Sequence, residues 1–355
     1  LYSHGAIYGI DKTLIEGHDV CDTKVRVLDQ SRIGPILTGD PRDLGDGPPV
    51  TALFIQNTNP MNVAPDLGKV RAGFGRDDLF VCVHEQFMTE TAEMADIVLP
   101  ATTFLEHDDF YVAGGHTHLQ VTRAVIEPVG EARSNHDVLC ALARRLGASH
   151  PGFDMDAWGL MDETLRRSGY SGAEAVWEGH WDDRAQAFDE AHFIDGFGHP
   201  NGKFHFAPDW SKIGGNHNGM PRLPDHDANI DNRDDDHPYR LVTAPSRNYL
   251  NTSFTETATS QAREGRPEAQ IHPDICAELG LAAGGLVRIG NTQGSVVVHV
   301  RPTEGMRRGT VVVESVWPNR AFVEGIGINL LISADAGRPN GGAVFHDTAV
   351  WLRGA

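Results

Sequence analysis

The sequence has 355 residues, with 30 basic and 49 acidic side chains and a formal net charge of −19. Such an acidic chain lacks the basic face with which a protein replaces counterions on a nucleic acid or an anionic membrane. Hydrophobic residues make up 40% and charged residues 22%, which favours sizeable apolar cores over disorder, and the length predicts two or more domains. No stretch of about 18 apolar residues occurs, so we expect no membrane insertion.

The chain opens on Leu1 rather than Met, and the residues that follow form neither a basic nor an apolar export signal. We therefore expect a piece of a longer polypeptide. The compartment stays open because an export signal would precede Leu1, and a cytoplasmic location is favoured over a periplasmic one.

Four cysteines lie far apart in the sequence, at Cys21, Cys82, Cys140 and Cys276. No two of them have C-x-x-C spacing, which disfavours a zinc ribbon, a thioredoxin-like motif and an iron–sulfur cluster held by this chain alone. We expect buried free thiols at all four positions.

In the first 150 residues, apolar runs alternate with helical stretches. The runs cover residues 50–55, 79–83 and 96–99, and the helical stretches cover 66–74 and 89–95. Strands that are apolar on both faces and alternate with helices predict a parallel sheet that is covered on both sides. The expected fold class of this part is therefore α/β, with a Rossmann-like parallel sheet.

Residues 151–238 lose this pattern and are expected to form an irregular insert that ends in an acidic linker. A calcium loop is the alternative, with suitably spaced side chains at Asp225, Asp227, Asn229 and Asp236. Ile230 stands where such a loop needs glycine, and the flanking segments are not helical, so the linker is favoured.

Residues 239–355 have the texture of a β-rich domain. Short strands separated by Gly or Pro are predicted at residues 239–243, 285–289, 295–300, 310–313 and 349–352. Many short strands with turn signals between them predict a small barrel or a sandwich. The chain thus divides into an α/β domain at 1–150, an insert at 151–238 and a β domain at 239–355.

Polar side chains follow all three predicted strands of the first domain, at residues 56–60, 84–86 and 102–108. Ligands of an open parallel sheet bind beyond the carboxyl ends of its strands, where loop amides and helix N-termini converge. Glu85 could accept from a guanine edge or a ribose, and Asn57 or Asn59 could contact a phosphate or a pterin. A turn or a helix cap is the alternative for each residue, as for Thr89, but the agreement of three strand ends favours a ligand site.

Motifs for other sites are missing from the sequence. There is no G-x-G-x-x-G after a strand and no G-x-x-x-x-G-K-[ST], which disfavours a standard nicotinamide site and a P-loop. His116 and His118 would lie on one side of a strand as a metal pair, but no third ligand is recognisable, and a polar surface strand is favoured.

Several segments resemble one protein family. They are F-I-Q-N-T-N-P-M-N at residues 54–62, V-C-V-H-E-Q-F-M-T-E-T-A-E-M-A-D-I-V-L-P-A-T at 81–102, and, more diffusely, residues 271–287 and 327–331. They are similar to molybdopterin oxidoreductases of the dimethyl sulfoxide reductase superfamily, which carry bis(molybdopterin guanine dinucleotide). The resemblance implies that the β domain is a six-stranded double-psi barrel and that the chain is the C-terminal half of such an enzyme.

The resemblance also implies two sets of cofactor-binding residues. One guanine dinucleotide arm would be lined by Asn57, Asn59, His84, Glu85, Thr89, His107 and Asn135. The other arm and the pterin would be lined by Thr243, Pro245, Ser246, Arg247, Asn248 and Asn329. Glu85 stands where the family commonly has Asp, and His107 stands where Lys or His occurs, so the guanine contacts are expected to be rearranged. The family's cysteine motif for a [4Fe–4S] cluster and its metal-ligand segment have no counterpart here, so no catalytic residue and no metal ligand is assigned.

The leading hypothesis is therefore the C-terminal portion of a molybdenum or tungsten oxidoreductase acting on formate, nitrate or an S- or N-oxide. Its expected partners are the missing N-terminal half, with any [4Fe–4S] cluster, a small-molecule substrate and an electron-transfer subunit. The alternative is a scaffold or electron-transfer subunit of the same superfamily that has lost the cofactor. An unrelated α/β dehydrogenase is disfavoured because the glycine fingerprint is missing.

Overall fold

The structure of the chain is a computed structural model. It describes residues 9–17, 19–20, 25–213, 220–223, 231–338, 341–346 and 348–355. Cys21 and most of the acidic stretch discussed above, including Asp225, Asp227, Asn229 and Ile230, lie outside the described residues.

The described helices are short, with a longest member of 12 residues. They are α1 Thr13–Glu16, α2 Ile33–Leu37, α3 Pro41–Leu44, α4 Pro60–Val63, α5 Leu67–Phe74, α6 Glu90–Glu93, α7 Asn135–Leu146, α8 Ala157–Arg167, α9 Ala173–Gly179, α10 Phe188–Ala191, α11 Trp210–Ile213, α12 Ala258–Glu264 and α13 Pro273–Glu278. Turns of 3₁₀ helix cover Gln30–Arg32, Pro151–Asp154, Asn319–Ala321 and Ile328–Leu331. Within the described ranges, no helix is long and apolar enough to cross a membrane.

The strands form two small sheets and one closed barrel. They are β1 Ala52–Gln56, β2 Phe80–Glu85, β3 Ile97–Pro100, β4 Asp109–Tyr111, β5 His118–Thr122, β6 Asp182–Asp183, β7 Tyr239–Val242, β8 Glu268–Ile271, β9 Leu286–Asn291, β10 Gly294–Pro302, β11 Thr310–Val313 and β12 Thr348–Gly354.

The chain forms two compact units, which alternate along the sequence. The first unit consists of Leu1–Arg26 and Leu99–Phe206, and the second of Val27–Val98 and Ala207–Ala355. The division into 1–150, 151–238 and 239–355 that the sequence suggests has other limits and stays a prediction.

The order of the parallel sheet is β1-β2-β3, with β1, β2 and the first two residues of β3 in the second unit. Ala52 of β1 lies opposite Phe80 of β2, and Gln56 lies opposite His84. One face of the sheet is packed against α5 and α2, where Gly73 allows a close approach to Leu37, since a Cβ atom on Gly73 would lie 2.5 Å from the Leu37 Cβ. The Rossmann-like sheet predicted from the apolar runs is confirmed.

The opposite face of this sheet is less covered than expected. Phe54, Phe80 and Ile97 are 40%, 47% and 45% exposed, and Cys82 on the same face is only partly buried. The expectation that this face is also covered is therefore wrong at Phe54, Phe80 and Ile97. Cys140 and Cys276 are buried free thiols, as predicted.

The barrel closes in the order β10-β8-β11-β7-β12-β9, which is the six-stranded double-psi barrel predicted above. The pairs β10–β8 and β11–β7 are parallel, and the other four neighbouring pairs are antiparallel. Leu241, Val287, Val298, Val311 and Val350 are fully buried in its core because the inward positions of the strands carry β-branched and leucine side chains.

The first unit has its own core. Leu119 and Val121 of β5 pack with Leu165 of α8 and Val176 of α9, beside the antiparallel sheet β4-β5-β6. The irregular insert predicted for residues 151–238 is wrong where α8 and α9 occur. Asp156 begins α8 by accepting a hydrogen bond from the Gly159 N–H at 2.7 Å, which is a helix cap of the usual kind.

Candidate functional site

The carboxyl end of β1 carries two of the predicted cofactor residues. Asn57 is exposed and has a left-handed backbone, with φ of +57°. Asn59 is buried, and its Oδ1 accepts from the Thr91 hydroxyl at 2.6 Å and from the Thr91 N–H at 3.3 Å. The Thr91 hydroxyl in turn accepts from the Met61 N–H at 3.1 Å. Asn59 therefore fastens the loop after β1 to α6.

The carboxyl end of β2 carries His84 and Glu85. His84 is only 1% exposed, and its Nδ1 lies 3.0 Å from the Gln56 Nε2. Burial raises the pKa of Glu85 above its ordinary value, and the charge of Glu256 raises it further. Hydrogen bonds from backbone N–H groups, such as that of Gln86 at 2.7 Å, act in the opposite direction and are the smaller effect. The carboxyl end of the sheet thus lies near Glu256, which belongs to the segment between β7 and α12.

Thr89 caps a helix, which is the alternative to ligand binding that the sequence left open. Its hydroxyl caps α6 and accepts from the Ala92 N–H at 3.2 Å. Glu90, the first residue of that helix, accepts from the Asn319 side chain at 2.7 Å through its Oε2. A helix cap is therefore what the structure assigns to Thr89.

The loop after β7 carries five predicted residues, Thr243, Pro245, Ser246, Arg247 and Asn248. Thr243 donates to the Phe345 carbonyl at 2.9 Å, and Ser246 accepts from the Tyr249 N–H at 3.3 Å. Asn248 is bound to Glu264, which accepts from its backbone N–H at 2.6 Å and from its side chain at 2.7 Å. Pro245 and Arg247 are exposed.

Ser315 lies just beyond the end of β11, the parallel neighbour of β7. Its N–H donates to the Ala244 carbonyl at 2.8 Å, which joins it to the loop after β7. Ser315 is 6% exposed, has a left-handed φ of +75°, and its hydroxyl finds no hydrogen-bond partner in the described structure. Ser315 is not predicted from the sequence because a lone serine after a strand carries no signal of burial.

Asn329, the last predicted residue of the barrel, is buried at the junction with the sheet. Its Nδ2 donates to the carbonyls of Asn62 and Val63 at 2.9 and 3.1 Å. Asn319, which the sequence analysis missed, makes a similar junction: it donates to the Met61 carbonyl at 2.8 Å and accepts from the Gly327 N–H at 2.7 Å. Both side chains hold the late barrel segment against α4.

The remaining two predicted residues belong to the first unit. His107 lies with its Nδ1 2.7 Å from the Thr102 hydroxyl and its Nε2 3.8 Å from Asp109. Burial raises the pKa of Asp109, while hydrogen bonding to the Phe110 N–H and the nearby His107 lower it. Asn135 is the exposed first residue of α7, directly after the capping residue Ser134.

His116 and His118 are the pair that the sequence offers as metal ligands, and their ring centroids lie 5.6 Å apart. Among the described residues, no three His, Cys, Asp or Glu side chains come together in a way that could hold a metal ion. What this chain offers is therefore a set of polar groups, at the strand ends of the sheet and of the barrel, that suit an organic ligand.

Residues 46–145 match the molybdopterin oxidoreductase family, and residues 239–349 match the molybdopterin dinucleotide binding domain. The chain belongs to the molybdopterin oxidoreductases of the dimethyl sulfoxide reductase superfamily. The first match covers the sheet of the second unit and continues to α7, and the second covers the barrel almost completely. Molybdopterin is therefore the cofactor of the family to which this chain belongs.

Individual relatives of this molybdopterin oxidoreductase are longer proteins. The probable oxidoreductase YoaE of Bacillus subtilis is 31% identical over 92% of this chain and 47% of its own length. Trimethylamine-N-oxide reductase of Haemophilus influenzae is 27% identical over 76% of this chain and 36% of its own length. This chain thus spans about half or less of the curated relatives it matches.

The fold of a solved relative agrees with the fold described here. Acetylene hydratase from Pelobacter acetylenicus superposes with a TM-score of 0.73 at 19% sequence identity. The superposition covers 91% of this chain and 46% of that structure. At this level of identity, the likeness concerns the fold and not the reaction.

The residues at the strand ends fit a molybdopterin dinucleotide. The Glu85 carboxylate, whose pKa is raised by burial, is a group that a ligand with hydrogen-bond donors would satisfy. Arg247, exposed in the loop after β7, provides a charge that suits a pyrophosphate. By contrast, Asn59, Thr89, Asn248 and Asn329 already make hydrogen bonds within the protein.

Proposed function

We propose that this chain is the C-terminal portion of a molybdenum or tungsten oxidoreductase that binds bis(molybdopterin guanine dinucleotide). One observation carries the proposal: the first family match includes β1 and β2 of the parallel sheet, the second match covers the barrel, and these strands and the barrel belong to one compact unit. Cofactor-binding loops from both parts are thereby available in a single body.

In this proposal, different loops of the chain bind different parts of the cofactor. Glu85 accepts hydrogen bonds from the guanine of one arm, and the exposed Asn57 is available to the same arm. Arg247 pairs with the pyrophosphate of the other arm, while Thr243 and Ser246 contribute hydroxyls. Asn59, Thr89 and Asn329 support these loops from behind, through the hydrogen bonds already described.

The metal supplies two-electron transfer when it is bound, and this chain's residues orient and enclose the organic part of the cofactor. We propose a small substrate of the formate, nitrate or S- or N-oxide type, and the name of the Haemophilus relative supports the last of these. The remainder of the polypeptide, with any [4Fe–4S] cluster, an electron-transfer subunit and a cytoplasmic location are further parts of the proposal.

The test uses the whole polypeptide that the gene encodes, purified from a host that makes molybdopterin. Molybdenum, tungsten and iron are measured by elemental analysis, and the pterin is measured after its release. Reduction of nitrate, dimethyl sulfoxide and trimethylamine N-oxide is followed with a reduced dye, and formate oxidation with an oxidised dye. We expect one metal per polypeptide and turnover with one of these substrate classes.

Arg247→Ala provides the site-directed arm of this test. We expect it to lower cofactor content, because a charge-assisted hydrogen bond to phosphate contributes roughly 1.5–3 kcal/mol. Arg263→Ala is the matched control, since Arg263 is exposed on α12 and outside the predicted loops. A folded wild-type polypeptide that contains neither metal nor pterin would replace this proposal with the cofactor-free scaffold.

A further inference from the structure

One face of the parallel sheet leaves large apolar side chains open to water. Phe54, Phe80 and Ile97 on this face are 40%, 47% and 45% exposed, and Cys82, which lies opposite Phe54, is partly buried. His84 lies two residues beyond Cys82 on the same face and is buried, so the opening is confined to the first part of the strands. We call Phe54, Phe80, Cys82 and Ile97 the open sheet face.

The topology of the sheet explains why no described helix covers this face. The strand order β1-β2-β3 follows the chain, and right-handed crossovers between consecutive parallel neighbours all lie on the same side of a sheet. Val70 of α5 and Ala92 of α6 accordingly pack in one core with Val81 of β2. In a doubly wound sheet, the helices of the second face connect strands that lie on the other side of the first strand. Among the described strands, none pairs with β1 on that side.

The chemistry of the open sheet face restricts what can cover it. Parallel sheets occur almost only with both faces covered, and a contiguous exposed apolar patch marks an interaction surface. Burial raises the pKa of the Cys82 thiol, so this side chain is uncharged at neutral pH like the other three. The occupant of this face is therefore an apolar surface rather than a charged or polar ligand, because a buried charge would find no partner here.

The relatives of this chain have a large part of their length outside the match. The chain covers 47% of the probable oxidoreductase YoaE and 46% of the acetylene hydratase structure, so more than half of each protein lies outside it. We propose that the open sheet face is an internal interface of the complete polypeptide, covered by the apolar face of one or more helices from residues outside this chain. The inference rests on the proposed function, in which this chain is one portion of a longer protein. The contact completes the sheet as a layer with helices on both faces.

Thiol labelling of the complete polypeptide measures whether the face is covered. Cys82 is labelled with a maleimide in the unaltered protein, so this measurement does not depend on the folding of a variant, and Ile97→Cys adds a second thiol on the same face. Glu93→Cys is the matched control, because Glu93 is exposed on α6 and a charged side chain is not expected at a buried apolar interface. In the native state we expect Cys82 and the thiol of Ile97→Cys to react at least ~100-fold more slowly than the thiol of Glu93→Cys, since labelling then requires local opening of the interface. In urea the three sites should react at similar rates.

Photo-crosslinking identifies the segment that covers the face. Phe80 is replaced by the photoreactive analogue p-benzoylphenylalanine, which keeps the aromatic ring and reacts with neighbouring C–H bonds. We expect an intramolecular cross-link from position 80 to a peptide outside these 355 residues, identified by mass spectrometry. The same analogue at Glu93 is the control and should give little cross-linked product.

The outcomes separate this inference from the proposed function. Labelling of Cys82 and Ile97→Cys at the rate of Glu93→Cys would overturn the interface, as would cross-links from position 80 that stay within this chain or join two copies of the polypeptide. Metal and pterin are measured in the same preparation and test the proposed function separately. A protected face with the expected cross-link in a polypeptide without molybdopterin would support the interface and overturn the cofactor proposal. An open face in a fully loaded polypeptide would do the reverse.

Discussion

The amide nitrogen of Asn329 lies 2.9 Å from the carbonyl oxygen of Asn62, a residue 267 positions earlier in the chain. The same nitrogen donates to Val63, so one buried amide group serves two backbone carbonyls of α4. The family resemblance implies that Asn329 lines the pterin, and this role stays a prediction. The structure adds a role in joining the barrel to the sheet.

We therefore predict that Asn329→Ala lowers the free energy of unfolding by about 1–3 kcal/mol, because it leaves buried carbonyls without donors. Chemical denaturation of the cofactor-free protein measures this change. Asn329→Asp should be more damaging at neutral pH, since it would place a carboxylate against two carbonyl oxygens. A tolerated Asn329→Asp would show that these hydrogen bonds contribute little.

A second prediction concerns the contact between α2 and α5. Gly73→Ala should lower the free energy of unfolding by about 1–3 kcal/mol, because its Cβ would lie 2.5 Å from the Leu37 Cβ in a packed core. Gly68→Ala in the same helix is the control. The nearest atom to its new Cβ would be 3.7 Å away, and we expect a gain of up to about 1 kcal/mol from helix propensity. Equal effects of the two substitutions would contradict this account.

The third prediction is the pH dependence that Glu85 confers on stability. Its pKa is raised in the folded protein, so its contribution is complete below the unfolded value of about 4.3 and is lost as the pH rises through the folded value. Glu85→Gln should therefore raise the melting temperature at pH 7–8 and have little effect near pH 4. Melting curves of the cofactor-free protein across this range test the direction.

Glu106 provides the opposite case for comparison. Hydrogen bonds from the Thr103 N–H, the Thr103 hydroxyl and the Val129 N–H hold its pKa below the ordinary value. Its contribution is present at neutral pH and is lost as the pH falls through the folded pKa. Glu106→Gln should therefore lower the melting temperature at pH 7, with a smaller difference in acid. If Glu85→Gln and Glu106→Gln changed the melting temperature with the same dependence on pH, the direction of the pKa shift given for one of the two carboxylates would be wrong.

A fourth prediction concerns Arg32, which is 7% exposed. Its guanidinium donates to both carboxylate oxygens of Asp43, at 2.5 and 2.8 Å, and to the Ala334 carbonyl at 2.8 Å. Arg32→Met should cost about 3–5 kcal/mol, because it leaves the Asp43 charge without its partner. Arg42→Met is the control: Arg42 also pairs with an aspartate, Asp40, but is mostly exposed, and we expect a loss below about 1 kcal/mol.

Much of the fold was predictable because local patterns encode it. The strand at Thr310–Val313 and the helix Leu67–Phe74 follow from apolar runs and from a capping aspartate, Asp66. β8 was missed because Glu268–Ile271 is only four residues long and holds two apolar residues, one of them alanine, so its alternation is too short to stand out. The incomplete cover of the sheet was missed because an apolar strand face does not reveal whether anything packs on it.

The candidate site was predictable to the level of loops rather than of side chains. The strand ends predicted residues 56–60, 84–86 and 102–108, and the family resemblance added residues 243–248. Which side chains are already bonded depends on partners far away in the sequence, such as Met61 for Asn319, 258 positions apart. Ser315 could not be singled out either, since burial and a left-handed φ are properties of the folded chain.

The interleaving of the two units has a consequence for synthesis on the ribosome. Arg71 of α5 cannot bind its partner, the Gly325 carbonyl, until 254 more residues have been made, which takes roughly 10–50 s. Residues 99–206 emerge during this interval and complete the first unit, whereas the apolar surface that later packs on Ile326 and Leu330 stays open to water. The nascent chain therefore carries a complete first unit and an incomplete second unit with exposed apolar surface, which is the kind of intermediate that chaperones bind.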